Sequence, residues 1–230
     1  MAESVMQISI LHKAFQQKPV LGKIQFELNT GETTVLFGPS GCGKSTLLRL
    51  LAGLDIEFEG ELTHRETRLG VVFQEPRLLP WRTVYQNVAM VAPDKSARIE
   101  QLLEETGLQN VAALEASKLS LGMARRVALA RALIIEPEAL ILDEPFVSLD
   151  RERASQLRLL LLDIIERYKL KALLVTHDPY EAVQLAHQIL VMGGTPSKLQ
   201  QRIPINLSAA ERRDNTLIAK VVNQFFDRPG

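Results

Sequence analysis

The 230 residues contain a single cysteine, which excludes an intramolecular disulfide and a cysteine metal cluster. Net charge is absent as well. Twenty-seven lysines and arginines balance 27 aspartates and glutamates, so no global positive field argues for nucleic acid and no strongly basic face for direct adsorption to a membrane. Long apolar runs are missing: 139–142 and 159–162 fall far short of the roughly 18 to 20 residues a spanning helix requires. The N-terminus has no basic start, apolar stretch and small-residue cleavage site of the secretory kind, which favours a cytosolic location. No internal repeat, low-complexity tract or linker splits off a second domain. One domain is expected, with room for a subdomain, and a hydrophobic content of 46% is enough for a large core.

What is present is concentrated in residues 33–53, TTVLFGPSGCGKSTLLRLLAG. Gly38, Gly43, Lys44 and Ser45 stand at the phosphate-loop spacing G-x-x-x-x-G-K-[ST]. Residues 33–37 read as a buried strand. Residues 45–52, with Leu47, Leu48, Leu50 and Leu51, read as a helix ending at Gly53, so the glycines fall in a strand-to-helix turn. There the backbone can aim successive N–H groups and a helix N-terminus at one anion, while Lys44 brings a mobile charge to the outer phosphates. The Ser45 hydroxyl suits a magnesium ion, and Thr46 supports the loop or the adjacent phosphate. A glycine-rich turn with a surface lysine is the weaker alternative. Cys42 lies inside the loop, most simply as a small tolerated residue; its alkylation should abolish nucleotide binding, and bound ATP should protect it.

Residues 5–11 and 24–28 alternate apolar and polar, as two half-buried strands of an antiparallel layer do. Phe15 lies in the loop between them, either as a core aromatic or as a platform for an adenine ring. Residues 69–73 form another core strand with Gln74 at its end, where the amide caps the strand or reaches a magnesium ion or an attacking water. In the following EPRLLPWRTVYQNV, Leu78, Leu79, Pro80 and Trp81 occupy a proline-interrupted loop that either folds back on its own core or docks a partner. Residues 96–106 and 111–116 look helical and mostly solvated, within a helical subdomain spanning about 76–136. Ser120 is an N-cap candidate for a helix running to about Ile135. On that helix Arg125, Arg126 and Arg131 read as a solvated face.

The apolar run 139–142 fits a strand buried on both faces of a parallel sheet. It runs into Asp143 and Glu144, two carboxylates whose charge a magnesium ion between Ser45 and nucleotide phosphates would compensate. Strand alternation gives them different jobs, Asp143 toward the metal and Glu144 toward the water beside the γ-phosphate. After Pro145 and the turn Ser148-Leu149-Asp150 comes a helix whose stripe of Leu157, Leu160, Leu161, Ile164, Ile165 and Tyr168 is core. The strand 172–176 ends in His177, on the same edge as Gln74 and Glu144. A strand at 189–192, a hairpin partner at 202–207 and an amphipathic closing helix at 215–226 complete an α/β pattern.

In this order GPSGCGKST (38–46), Gln74, LSLGM (119–123), LILDEP (140–145), SLD (148–150) and TH (176–177) resemble the ATP-binding subunits of ABC transporters over nearly the whole chain. The resemblance implies a P-loop NTPase (RecA-like) core with a parallel sheet, an N-terminal antiparallel β layer and an inserted α-helical subdomain. It implies one ABC ATPase domain over 1–230, with 1–75 and 137–230 as nucleotide-binding core and 76–136 as helical subdomain. It also implies ATP and Mg2+ held between two subunits. Gly38, Pro39, Ser40, Gly41, Cys42, Gly43, Lys44, Ser45 and Thr46 would bind the nucleotide, with Phe15 on the adenine, Asp150 in the D-loop, and Ser120 and Gly122 closing over the partner's γ-phosphate. Ser45, Gln74 and Asp143 would serve the metal; Glu144, His177, Gln74 and Lys44 would serve hydrolysis. The family usually reads LSGGQ or LSGGM, and Leu121 replaces the first glycine here, which bears on closure of the dimer.

FQEPRLLPWRTVYQNV looks most like importers of the nitrate, sulfonate and taurine group. That likeness implies a homodimer, or a heterodimer with a second ATPase subunit, at the cytoplasmic face of the inner membrane. A permease would dock near Leu78, Leu79 and Trp81, and an extracytoplasmic solute-binding protein would act through that permease; Trp81→Ala should uncouple transport without abolishing ATP binding. The alternatives are a soluble ABC-type ATPase of DNA maintenance or translation, which usually carries paired domains or coiled-coil insertions, and a P-loop kinase, which gives LSLGM no purpose.

Overall fold

The computed structural model describes residues 5–63 and 68–226. In chain order its elements are β1 (Met6–Phe15), β2 (Lys18–Leu21), β3 (Ile24–Leu28), β4 (Thr33–Phe37), α1 (Lys44–Leu51), β5 (Glu59–Leu62), β6 (Leu69–Val72), α2 (Val84–Ala89), α3 (Ser96–Glu105), α4 (Leu121–Leu133), β7 (Ala139–Asp143), α5 (Arg151–Tyr168), β8 (Lys171–Thr176), α6 (Pro179–Leu185), β9 (Gln188–Gly193), β10 (Lys198–Pro204) and α7 (Asn215–Phe226). The chain divides into two compact units, Met1–Glu66 with Ile164–Gly230, and Thr67–Asp163. Among the described residues no helix is long and apolar enough to cross a membrane.

The first unit carries an antiparallel layer of order β2-β1-β3, with β5 also paired to β1. Its period-two pattern turns Met6, Ile8, Ile10, Ile24, Phe26 and Leu28 inward. β1 is longer than its apolar alternation suggests and includes Phe15, which the sequence places in a loop. Register shifts at Ile10/His12 and at Lys13/Ala14 break the alternation that would have revealed the extension. The hairpin then closes through Gln16 and Gln17, both at positive φ (47° and 66°), between the paired residues Phe15 and Lys18. Two left-handed residues in a two-residue loop match the right-handed twist of the flanking strands.

In the same unit β4 lies between β8 and β9, parallel to both, and β10 runs antiparallel on β9. β8 is buried throughout and β4 in all but its last residue, which is why both read as unbroken apolar runs. Residues such as Leu36, Leu173 and Leu174 have no exposed surface, each contributing about 1.5–3 kcal/mol of transfer free energy. α6 is an element that apolar periodicity does not announce. Asp178 caps it by accepting from the Tyr180 and Glu181 N–H groups, and Pro179 opens its first turn.

The second unit holds the parallel pair β6 and β7 with α2, α3, α4 and the first part of α5. Residues 111–116 do not form the expected helix. Single 3-10 turns stand at Gln109–Val111 and Ala116–Lys118, while the Val84 N–H donates to Leu114 O and the Ala116 N–H to Arg82 O. These bonds to residues about 30 positions earlier hold the stretch as a series of turns with one isolated bridge, Thr83 to Glu115, against its local helical propensity. α2 starts at a reciprocal capping box between Thr83 and Gln86, a T-x-x-Q signal legible in the sequence.

Candidate functional site

In the first unit β4 delivers the chain at Phe37 into residues 38–43, and α1 begins at Lys44. A Cβ on Gly38 would stand 2.5 Å from the Met192 carbonyl oxygen. Gly43 has φ 93°, and its Cβ would stand 2.7 Å from Leu21 Cδ2. Both positions therefore require glycine. Gly43 is the N-cap of α1 and supplies no side-chain acceptor, so no capping side chain satisfies the first-turn N–H groups, the condition under which a helix N-terminus can take an anion. The Lys44 ammonium is buried and donates to Gly38 O at 2.7 Å and Pro39 O at 2.8 Å. Carbonyl dipoles solvate that charge without neutralising it. Ser45 is exposed on the first helical turn, Thr46 and Cys42 are half-buried, and Pro39, Ser40 and Gly41 flank the loop.

Phe37 pairs with Thr176 across the β4–β8 ladder, so Gly38 and His177 leave the same sheet edge. His177 is exposed, between two anchored neighbours: the Thr176 hydroxyl donates to Glu181, and the Asp178 N–H donates to that hydroxyl. The β1–β2 hairpin abuts the phosphate loop through Val20 and Leu21 at Gly43. At its tip Phe15 is 46% exposed, with the Lys13 ammonium 4.5 Å from its ring centroid.

In the second unit β7 ends at the half-buried Asp143. Glu144 lies beyond the strand with φ 44°, so its direction is set by a left-handed backbone rather than by the strand alternation used to separate the two carboxylates. Val72 and Leu142 are register partners, so Gln74, which is exposed, and Glu144 leave the same end of that parallel pair. Ser120 caps α4, accepting from the Met123 N–H at 3.3 Å. Gly122 follows, and a Cβ there would make ordinary contact with Leu149 Cδ2 at 3.8 Å, which places this helix tip beside the 148–150 turn. Leu121 is 39% exposed. Asp150 is exposed and accepts from the Arg153 N–H at 2.9 Å.

The arginines of α4 overturn the expectation of a solvated face. Arg125 is buried and donates to the Pro145 and Val147 carbonyls, directly after Glu144. Arg131 donates to Pro76 O and Arg77 O, both at 2.9 Å, and burial lowers its pKa. Arg126 reaches Thr106 O and Gln156 Oε1. Sequence spacing could not reveal this, because every carbonyl comes from a distant loop. A second missed residue is Asn87, which is fully buried. It accepts from the Leu79 N–H at 2.8 Å and donates to the carbonyls of Leu79, Arg82 and Thr83. That staple fixes a loop on which Leu78 and Leu79 are half-buried and Trp81 is 70% exposed.

Among the described residues no group of three or more histidine, cysteine, aspartate or glutamate side chains could hold a metal ion. The Ser45 hydroxyl and the Asp143 carboxylate are nevertheless hard oxygen donors. Each by itself is the kind of ligand that suits magnesium, an ion that takes one or two protein oxygens and completes its octahedron from phosphates and water.

The family model described as "ABC transporter" matches residues 21–147. An aliphatic sulfonates import ATP-binding protein, SsuB 1 of Pseudomonas syringae pv. syringae (strain B728a), is 44% identical over 97% of this chain and 95% of its own length. Among solved structures, cbiO1 from Clostridium perfringens, part of the ABC transporter complex cbiONQ, superposes with a TM-score of 0.81 at 24% identity, covering 98% of this chain and 97% of that one. The dimeric bacterial ABC transporter cassette MJ0796 gives a TM-score of 0.74 at 25% identity over 89% of this chain and all of that one.

Proposed function

This chain belongs to the ABC transporter family, and from that premise we propose that it is the ATP-hydrolysing subunit of an importer for aliphatic sulfonates. The single observation that carries the reading is its 44% identity, over nearly its full length, to an aliphatic sulfonates import ATP-binding protein. The α/β cassette fold supports it, and the soluble ATPase of DNA maintenance or translation is not favoured. The whole chain acts as one ATPase domain that pairs with a second ATPase subunit, in line with the dimeric cassette it resembles.

In this reading the amides of 38–46 and the Lys44 ammonium hold the triphosphate, and Phe15 stacks on the adenine. The side chains of Ser45 and Asp143, with Gln74, are the ones that would hold a magnesium ion, which would supply charge neutralisation at the phosphates. Glu144 accepts a proton from the water whose oxygen attacks the γ-phosphorus in line. The bond to the bridging oxygen breaks and ADP departs with the electron pair. His177 aligns the γ-phosphate. Ser120 and Gly122 act in trans on the partner's nucleotide, and Asp150 lies beside the shared interface. Exposed Leu121 permits closure, since Ser120 and the helix tip retain their N–H groups.

Trp81, with Leu78 and Leu79, receives the permease at the cytoplasmic face of the inner membrane, and a solute-binding protein delivers the anion from the other side. The loop supports this because Asn87 fixes its backbone while the indole stays exposed. The test reconstitutes the chain with its permease in vesicles and adds the binding protein with ethanesulfonate, taurine or nitrate. Ethanesulfonate should stimulate ATP hydrolysis and enter the vesicles. Stimulation by nitrate alone, or by nucleic acid on the free chain, would overturn the assignment.

A further inference from the structure

We propose that Lys13 is a positioning residue for the nucleotide base, holding Phe15 at a fixed distance from the phosphate loop. The inference rests on the reading of Phe15 as the adenine platform. Lys13 is 1% exposed and its ammonium makes three interactions. It donates to Asp55 Oδ1 at 2.8 Å and to Glu57 O at 2.7 Å, and stands 4.5 Å from the centroid of the Phe15 ring. Removing a lysine charge from water is unfavourable unless it is paired and hydrogen-bonded, and here Asp55 and the Glu57 carbonyl do both.

The placement of the partners supplies the reason. Asp55 lies four residues beyond the end of α1 and is tied back to it, its N–H donating to Arg49 O, and α1 begins at Lys44 of the phosphate loop. An eight-residue helix is a rigid strut about 12 Å long. The Lys13–Asp55 pair therefore pins the strand bearing Phe15 to the far end of the strut whose near end holds the phosphates. The register shift at Lys13/Ala14 lies between the pinned residue and the ring, and such bulges re-aim the next side chains. The cation sits on one side of the aromatic system while nearly half the residue remains exposed. A cation on one face of a ring draws its electron density and makes the other face a better partner for an electron-rich purine.

The distinguishing property is selectivity for the base over the phosphates. Calorimetric titration of the full chain with ATP, and separately with inorganic tripolyphosphate, compares wild type, Lys13→Met, Phe15→Ala and the double variant. Loss of a desolvated cation–π contact and of the pin should weaken ATP binding about tenfold in Lys13→Met, with tripolyphosphate affinity unchanged. The double variant should bind ATP no more weakly than Phe15→Ala, because Lys13 acts through the ring. Should Lys13→Met not fold, Lys13→Met/Asp55→Asn, which leaves no unpaired carboxylate, takes its place. Equal weakening toward both probes, or ATP affinity unchanged in Lys13→Met while Phe15→Ala loses it, overturns the role of Lys13 alone. Unchanged ATP affinity in Phe15→Ala overturns the adenine platform and this proposal with it.

Discussion

Lys44 and Arg125 are both cations buried at about 5% exposure, and both spend their donors on backbone carbonyls, yet they sit at opposite ends of a scale of sequence distance. The acceptors of Lys44 lie six and five residues away, within its own loop. Those of Arg125 lie 20 and 22 residues along the chain, in the turn that follows Glu144. The difference separates two uses of a buried charge. A lysine solvated by the turn it belongs to can exchange those carbonyls for a phosphate at little conformational expense. An arginine that bridges distant segments is a lock, and its release would free the backbone on both sides. The loop before α1 thus holds its charge on local, exchangeable contacts, whereas the α4 region commits its charge to the backbone that follows a carboxylate.

The largest expected effect tests whether the residue held by the lock is the chemical one. Glu144→Gln is nearly isosteric and leaves both Arg125 contacts in place. Turnover should fall by about 10² to 10⁴, the range for losing a positioned general base, while ATP binding and the urea unfolding midpoint stay at wild-type values. Full turnover in this variant would detach Arg125 from catalysis and leave it a purely architectural clamp.

Next in size is the contrast between the two cations themselves. Arg125→Met strands two carbonyls, each at about 1–3 kcal/mol for a buried group left without its donor. The unfolding free energy should therefore drop by about 2 kcal/mol or more. If Lys44 holds the triphosphate as proposed, Lys44→Ala should weaken ATP binding by about ten- to a hundredfold, with the unfolding midpoint almost unmoved. If Lys44→Ala proved as easily unfolded as Arg125→Met, the distinction between an exchangeable and a locking cation would fail.

The same distance explains what was legible beforehand. The strand-to-helix turn between β4 and α1 could be read because it is local: its glycines shape the backbone they belong to. The buried strands β4, β7 and β8 could be read because two-sided burial writes itself as an unbroken apolar run. Ser120 was legible as a cap, which is again a contact three residues long. Arg125, Arg131, Asn87 and Lys13 were not, since their meaning depends on carbonyls and carboxylates that only the fold delivers. Phe15 stands between the classes. Its aromatic type was informative, but two register shifts in β1 concealed that it belongs to a strand.

The smallest effect concerns the entry to β4, where a long-range contact again decides a titration. His187 Nδ1 accepts from the Thr33 N–H at 3.0 Å, which requires that nitrogen to be unprotonated. Burial, and next the charge of Arg212, hold the His187 pKa below its ordinary value of 6.5, with Glu32 opposing them. Arg212 is itself depressed to about 10 by burial, so it stays cationic throughout the window in which the imidazole titrates. A histidine whose folded pKa is lowered binds its proton more readily in the unfolded chain. Stability from this group is therefore complete above the ordinary imidazole pKa and is lost as pH falls from about 6.5 toward the folded value. Urea midpoints measured from roughly pH 8 down to 5 should decline more steeply for wild type than for His187→Gln, whose amide oxygen can accept the same N–H without titrating. Parallel curves would mean that the fold tolerates a protonated ring at the head of β4, and that this long-range contact, unlike that of Arg125, does not constrain the backbone it touches.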